Sequence, residues 1–141
     1  MRMLPYFLKT HKSVRFAFVG GIGFIIDLTT LLALTDIFNM ELLQARFLSF
    51  VAAATCNWFL NRSITFPVAK LNINKSAEWL RFLTSSAISA IPNIGIFYLL
   101  ILILPATFIY IIIAMCSGIL IGYYSNYKLS VNWVFKTQIA R

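Results

Sequence analysis

FLTSSAISAIPNIGIFYLLILILPATFIYIIIAMCSGILIGYYSNY, residues 82–127, runs for 46 positions without one charged side chain. A hydrocarbon core about 30 Å thick is crossed by roughly 20 helical residues at 1.5 Å each, so this run is long enough for two crossings and too long for one. Pro105, near its middle, has no N–H with which to continue a helical ladder. The run therefore reads as two helices, about 81–104 and 107–128, that turn at Pro105. Upstream, residues 16–35 carry a single charge, Asp27, and Leu42–Leu60 is broken only by Arg46, which adds helices at about 15–37 and 42–62.

Composition agrees. Of 141 residues, 60% are hydrophobic and 11% charged, where soluble domains carry about 25% charged residues. There is too little polar surface to coat a soluble globule. The expected fold class is an all-α membrane protein, a single four-helix transmembrane domain over 1–141 with a cytoplasmic loop at 63–80. A secretory signal peptide is the competing reading of the first helix. Its apolar run is too long, holds an acid, and is followed by no small-x-small cleavage site, so residue 1 is expected to begin the mature protein.

Twelve Lys and Arg face four Asp and Glu, a net charge of +8. In a soluble protein this would suggest nucleic acid; here it sets orientation, and no nucleic acid is expected. Arg2, Lys9, Lys12 and Arg15 precede the first helix, Arg62, Lys70, Lys75 and Arg81 flank or lie in the central loop, and Lys128, Lys136 and Arg141 close the chain. Eleven of the twelve thus fall on one face, with Arg46 opposite, and the positive-inside rule predicts both termini cytoplasmic. Trp58, Trp79 and Trp133 fall at the same boundary, as an aromatic belt does.

The chain also repeats. Arg15-Phe16 and Asp27 recur as Arg81-Phe82 and Asn93, 66 positions on; Ser49, Ala53, Asn57 and Phe66 recur as Gly118, Gly122, Asn126 and Phe135, 69 positions on. Both copies enter from one side, so two parallel-repeat helical hairpins are predicted, not inverted ones. In each helix the small and polar residues share a face at spacings of three and four. Close helix packing accounts for the glycines, alanines and serines, Gly118-x-x-x-Gly122 among them. Asp27 is different: it lies about 18 Å along its helix from Arg15, near mid-membrane, where a charge costs roughly 2.5–3.5 kcal/mol on insertion scales. A counter-ion, proton or head-group role competes there with a purely structural hydrogen bond, and for Asn57 and Asn126 function competes evenly with interhelical bonding. Arg15, Arg62, Arg81 and Lys128 stand where the phosphate of an inner-leaflet lipid would enter, although topology and snorkelling explain basic residues there as well. Arg46, one turn inside the opposite face, either receives a phosphate or pairs with Asp36 or Glu41.

Other chemistry is not expected. Cys56 and Cys116 form no CxxC, His11 is the sole histidine, and no cluster has metal-ligand spacing. Gly20-Gly21-Ile22-Gly23 follows no strand and is no nucleotide fingerprint. Four acids, two of them in the short outer loop, make a paired-carboxylate or triad site improbable. No cofactor is expected, and the chain does not read as an enzyme.

Arg15-Phe16-x-x-Val19-Gly20-Gly21-x-Gly23-x-x-x-Asp27, then Asn57-x-x-x-Asn61-Arg62-x-x-Thr65-Phe66, then Asn126-Tyr127 running to Trp133-Val134-Phe135, resembles the GtrA-like family over nearly the whole chain. The resemblance implies a multi-pass protein of the bacterial inner membrane that flips a polyprenyl-phosphate-linked sugar, often glucose, outward for cell-surface polysaccharide synthesis. Family residues carried over are Asp27, Asn57, Asn61, Arg62, Arg81 and Asn126. One departure is Val131, where the closing motif often has arginine, so the second half would rely on Lys128. On this reading Arg62, Arg81 and Lys128 capture the phosphate, Asn57, Asn126, Asp27 and Asn93 hydrogen-bond the sugar, and Arg46 accepts the phosphate outside. Expected partners are the polyprenyl-phosphate sugar lipid, membrane-bound glycosyltransferases and further copies of the chain, since four helices scarcely enclose a path. Two alternatives stand: a small proton-coupled exporter of cationic drugs, and a non-transporting partner that holds a glycosyltransferase through residues 63–80.

Overall fold

The protein is described by a computed structural model over residues 11–67, 74–105 and 107–136. Arg2, Lys9, Lys70 and Arg141 of the charge count, and the middle of the central loop, lie outside the described residues. Four α-helices account for most of the rest: α1 Lys12–Leu32, α2 Leu42–Leu60, α3 Lys75–Ile103 and α4 Phe108–Leu129. No strand occurs among the described residues.

The chain divides into two compact units, one holding the described residues through Leu83 and the other Thr84–Lys136. In the first, α1 packs along α2 after a turn at Asn39, whose φ of 50° is the left-handed conformation that asparagine tolerates best among residues with a Cβ. In the second, the body of α3 meets α4 after the break at Pro105.

Three stretches are long and apolar enough to cross a membrane: Lys12–Ile37, Lys75–Ile103 and Phe108–Val134. The α2 stretch is not among them, because Gln44, Arg46, Ser49, Thr55 and Asn57 dilute it. The described helices are packed inside out relative to a soluble bundle. Fully or nearly covered positions include Val19, Ala45, Ser49, Ala53, Ala114, Ser85 and Ser89, with Phe16 and Phe82 as bulky exceptions near the helix starts, while Leu102, Phe108, Leu43, Ile37 and Ile91 are at least 70% exposed. Small residues inside let backbones approach closely, and large apolar ones outside match a lipid solvent.

Three five-residue π-helical turns extend these helices: Ala33–Ile37 after α1, Asn61–Thr65 after α2 and Ser130–Val134 after α4. The last two are 69 positions apart, the spacing already seen in the second helices of the repeat. Each ends identically: the N–H of Phe66 donates to the Asn61 carbonyl and that of Phe135 to the Ser130 carbonyl, both at 2.8 Å, and both rings are buried. The 69-residue offset thus holds for a local backbone irregularity as well as for side-chain identity.

One boundary differs from the sequence reading. α3 begins at Lys75, six residues before the expected start and inside the expected 63–80 loop. Asn74 caps it: its side-chain oxygen accepts the Ser76 N–H at 3.0 Å, and its carbonyl takes the Glu78 N–H. Asparagine is a favoured N-cap, and Glu78 in the first turn suits the positive end of the helix dipole. Hydropathy locates the apolar span but not this polar first turn.

Candidate functional site

The charged side chains of the first unit form two groups at opposite ends of α2, since Arg46 and Arg62 stand sixteen residues apart, about 24 Å of helix. At the α1–α2 turn end, Arg46 Nη1 donates to Asp27 Oδ2 at 2.5 Å. This is not the pairing with Asp36 or Glu41 that proximity in sequence suggested. Asp36 instead accepts the Thr35 hydroxyl at 2.9 Å. The pair is unequal: the Arg46 side chain is 53% exposed and that of Asp27 19%, and Asp27 Oδ1 is buried without a partner. Nineteen residues separate the two charges in sequence, which is why only the folded hairpin reveals them as one unit.

One and two turns further along α2, Ser49 and Ala53 are buried, and beyond them Asn57 lies directly against Gly23 of α1. Any Cβ at Gly23 would collide with the Asn57 side-chain amide. The glycine that sequence reading assigned to packing and the asparagine that it assigned to substrate are therefore halves of one contact. Asn57 Oδ1 is buried and has no hydrogen-bond partner.

At the far end of α2, Arg62 forms a short ion pair with Glu78. Trp58 Nε1 donates to the same Glu78 oxygen at 2.9 Å, and the guanidinium of Arg62 lies 5.9 Å from the Trp58 ring centre. The pair is thoroughly buried, with 9% of the Arg62 side chain exposed and none of Glu78. Nearby, Trp79 Nε1 donates to Thr55 Oγ1 at 3.0 Å, and Arg15 Nη1 donates to the Ile64 carbonyl at 2.9 Å. Two of the three tryptophans read as a membrane-interface belt thus spend their N–H groups within the protein; Trp133 is 40% exposed. Asn61, buried, accepts the Thr65 hydroxyl at 2.8 Å. Arg81 is exposed, and no ion pair or side-chain hydrogen bond engages it among the described residues.

The second unit holds no acid, and its interhelical contacts run through amides. Asn93, the counterpart of Asp27, packs on α4: a Cβ at Gly118 would lie 2.6 Å from the Asn93 carbonyl oxygen, and one at Gly122 2.8 Å from the Asn93 Cβ. Asn126, the counterpart of Asn57, accepts the Ser85 hydroxyl at 3.0 Å and faces Ser86 at 3.5 Å. Lys128 is exposed with its ammonium 5.5 Å from the Tyr124 ring centre. All four acids, Asp27, Asp36, Glu41 and Glu78, belong to the first unit, so an arginine at position 131 would find no carboxylate within its own unit. Val131 is physically coherent with that, and Ser130 and Val134 beside it are fully buried.

Sequence reading missed Glu78. The signal was present: an acid four positions after a helix-capping asparagine, in a segment otherwise cationic. Among the described residues no group of His, Cys, Asp and Glu has the arrangement to hold a metal ion.

A family model described as GtrA/DPMS, transmembrane domain, matches residues 15–135. In the corresponding comparisons no curated protein and no solved structure matches the chain.

Proposed function

The chain belongs to the GtrA/DPMS transmembrane-domain family and is a membrane protein, and on that premise we propose that it carries a polyprenyl-phosphate-linked sugar, a hexose such as glucose, across the bacterial inner membrane for cell-surface polysaccharide synthesis. All four helices cross, α2 included, with both termini cytoplasmic. The observation that carries the proposal is Arg46, a half-exposed guanidinium on an otherwise apolar helix face, held by an acid of the neighbouring helix. Charges in a span are expensive and tend to mark a substrate or ion path.

In this scheme Arg81 of the first unit and Lys128 of the second, each exposed, are separate contacts for a phosphate on the cytoplasmic side. Asp27, Asn57 and Asn61 in the first unit and Asn93 and Asn126 in the second hydrogen-bond the sugar in transit, and Arg46 receives the phosphate near the outer face. Arg62 takes a different part from the one its motif implies. Engaged by Glu78, it holds the first turn of α3 in place, three residues before Arg81. Membrane-bound glycosyltransferases of the same pathway supply and consume the lipid, no cofactor or catalytic group is invoked, and several copies assemble around the path.

The drug-exporter alternative fits less well. It needs an acid free to exchange a proton for a cation, and Asp27 is already paired with a fixed cation. The test is reconstitution in liposomes that carry a polyprenyl-phosphate sugar in both leaflets, reading how much an outside reagent can modify. Access is expected to rise from the outer-leaflet share to nearly the whole, and to return to that share with Asp27→Ala and with Arg81→Gln while both variants still insert. Full transport by both variants refutes the scheme. No transport by correctly folded wild-type protein favours the non-transporting partner instead.

A further inference from the structure

A guanidinium has five N–H donors, and among the described residues Arg46 spends one side-chain donor, the bond to Asp27 Oδ2. The remaining donors sit on a side chain that is 53% exposed. Around them the helix surface is apolar. Leu43 is 76% and Phe47 67% exposed, and with Met40, Gln44 and Leu48 they line an open depression of about 490 Å³. Arg46 does not itself line the depression; Leu43, one turn before it on the same helix face, does, so the cationic donor set borders the apolar strip. The matching ligand has one anionic head and a long apolar chain.

Asp27 satisfies this cation poorly. One carboxylate oxygen reaches Arg46, and the other is buried with no donor. Both groups are thus left with unmet hydrogen bonds, and an incoming anion with several acceptor oxygens makes better use of the guanidinium. We infer that Asp27 is a built-in competitor for Arg46: a phosphate bearing an apolar chain displaces it from the guanidinium, and its return expels the phosphate. This rests on the transport reading above and adds its regulation. A site that must release its cargo has to bind it weakly enough for departure, and a tethered carboxylate achieves that without altering the rest of the path. The second unit, with Asn93 in place of Asp27 and no acid of its own, has no such competitor.

The experiment measures binding of farnesyl phosphate to the full chain in nanodiscs of uncharged lipid. Removing the competitor with Asp27→Asn should tighten binding about tenfold while transport slows. Arg46→Gln and the double variant Asp27→Asn/Arg46→Gln should both lose binding. Asp27→Ser serves as a second neutral variant and should tighten binding as Asp27→Asn does. Farnesol and inorganic phosphate, each half of the ligand, should bind far more weakly. Equal or weaker farnesyl phosphate binding by both neutral Asp27 variants overturns the inference, as does inorganic phosphate binding as tightly as farnesyl phosphate. Transport by the wild type with binding unchanged in Asp27→Asn rejects the competitor and keeps the transport reading. Tightening in Asp27→Asn with no transport by the wild type does the reverse.

Discussion

Glu78→Ala should destabilise the protein by about 3–5 kcal/mol, the usual cost of removing one partner of a buried ion pair. Arg62 would keep its charge in a site where 9% of its side chain is exposed, and Trp58 Nε1 would lose its acceptor. The attraction between the two charges is not itself the reason, because desolvation of both roughly cancels it. What makes the single substitution severe is the solitary charge left behind. The double variant Arg62→Leu/Glu78→Leu should therefore recover most of the loss, to within about 1 kcal/mol of wild type. Thermal unfolding of the wild type, Arg62→Leu, Glu78→Leu and the double variant in one detergent checks this as a double-mutant cycle. Additive losses in the double variant would mean that the two residues act separately. The same result bears on transport. Arg62→Ala should lower activity by loosening the start of α3 whether or not Arg62 ever meets a phosphate, so it is Arg81, exposed and without an ion-pair partner among the described residues, that tests the cytoplasmic capture step.

Gly118→Ala should have the second large effect, a loss of about 1–3 kcal/mol from overpacking with the α3–α4 hairpin forced open. The new methyl would stand 2.6 Å from the backbone oxygen of Asn93 and 2.7 Å from its side-chain oxygen. A side-chain oxygen can rotate away, but a carbonyl inside a helix moves only with the helix. Gly23→Ala is the informative contrast, because the three atoms nearest its new methyl all belong to the Asn57 side chain, whose amide can turn aside, so a smaller loss is expected. Gly20, Gly21 and Gly95 have nothing within 4 Å of a Cβ. Alanine there should be neutral or mildly stabilising, by up to about 1 kcal/mol through helix propensity. Unfolding midpoints of the five variants rank them, and a Gly20→Ala loss as large as that of Gly118→Ala would refute packing as the cause.

How far these contacts were legible beforehand differs residue by residue. Asn57 and Gly23 share the small and polar faces of their helices, so that both turn inward follows from spacing alone. That they touch depends on the vertical register of two helices, which periodicity does not encode. Glu78 was passed over because hydropathy sees the apolar part of a helix and stops at its polar first turn. Arg62 looked like a free rim arginine because its partner stands sixteen residues on, across a central loop with no regular pattern. The π turns at Asn61–Thr65 and Ser130–Val134 left no mark in periodicity, although their equal spacing from the repeat was implicit in Phe66 and Phe135.

By itself the sequence determined the solvent, the all-helical class, the approximate helix limits and the repeat. Each follows from short-range physics: the length of a bilayer crossing, the missing N–H of proline, the cost of charge in lipid, and the 3.6-residue period. Tertiary structure alone decided which charge answers which. Asp27 faces Arg46, Arg62 faces Glu78, and Asn93 rests on Gly118 and Gly122, because in a medium that offers no water a buried side chain that does not bond its own helix can be answered only by the helix packed beside it, and that neighbour is set by the register of the packed hairpin, not by distance along the chain.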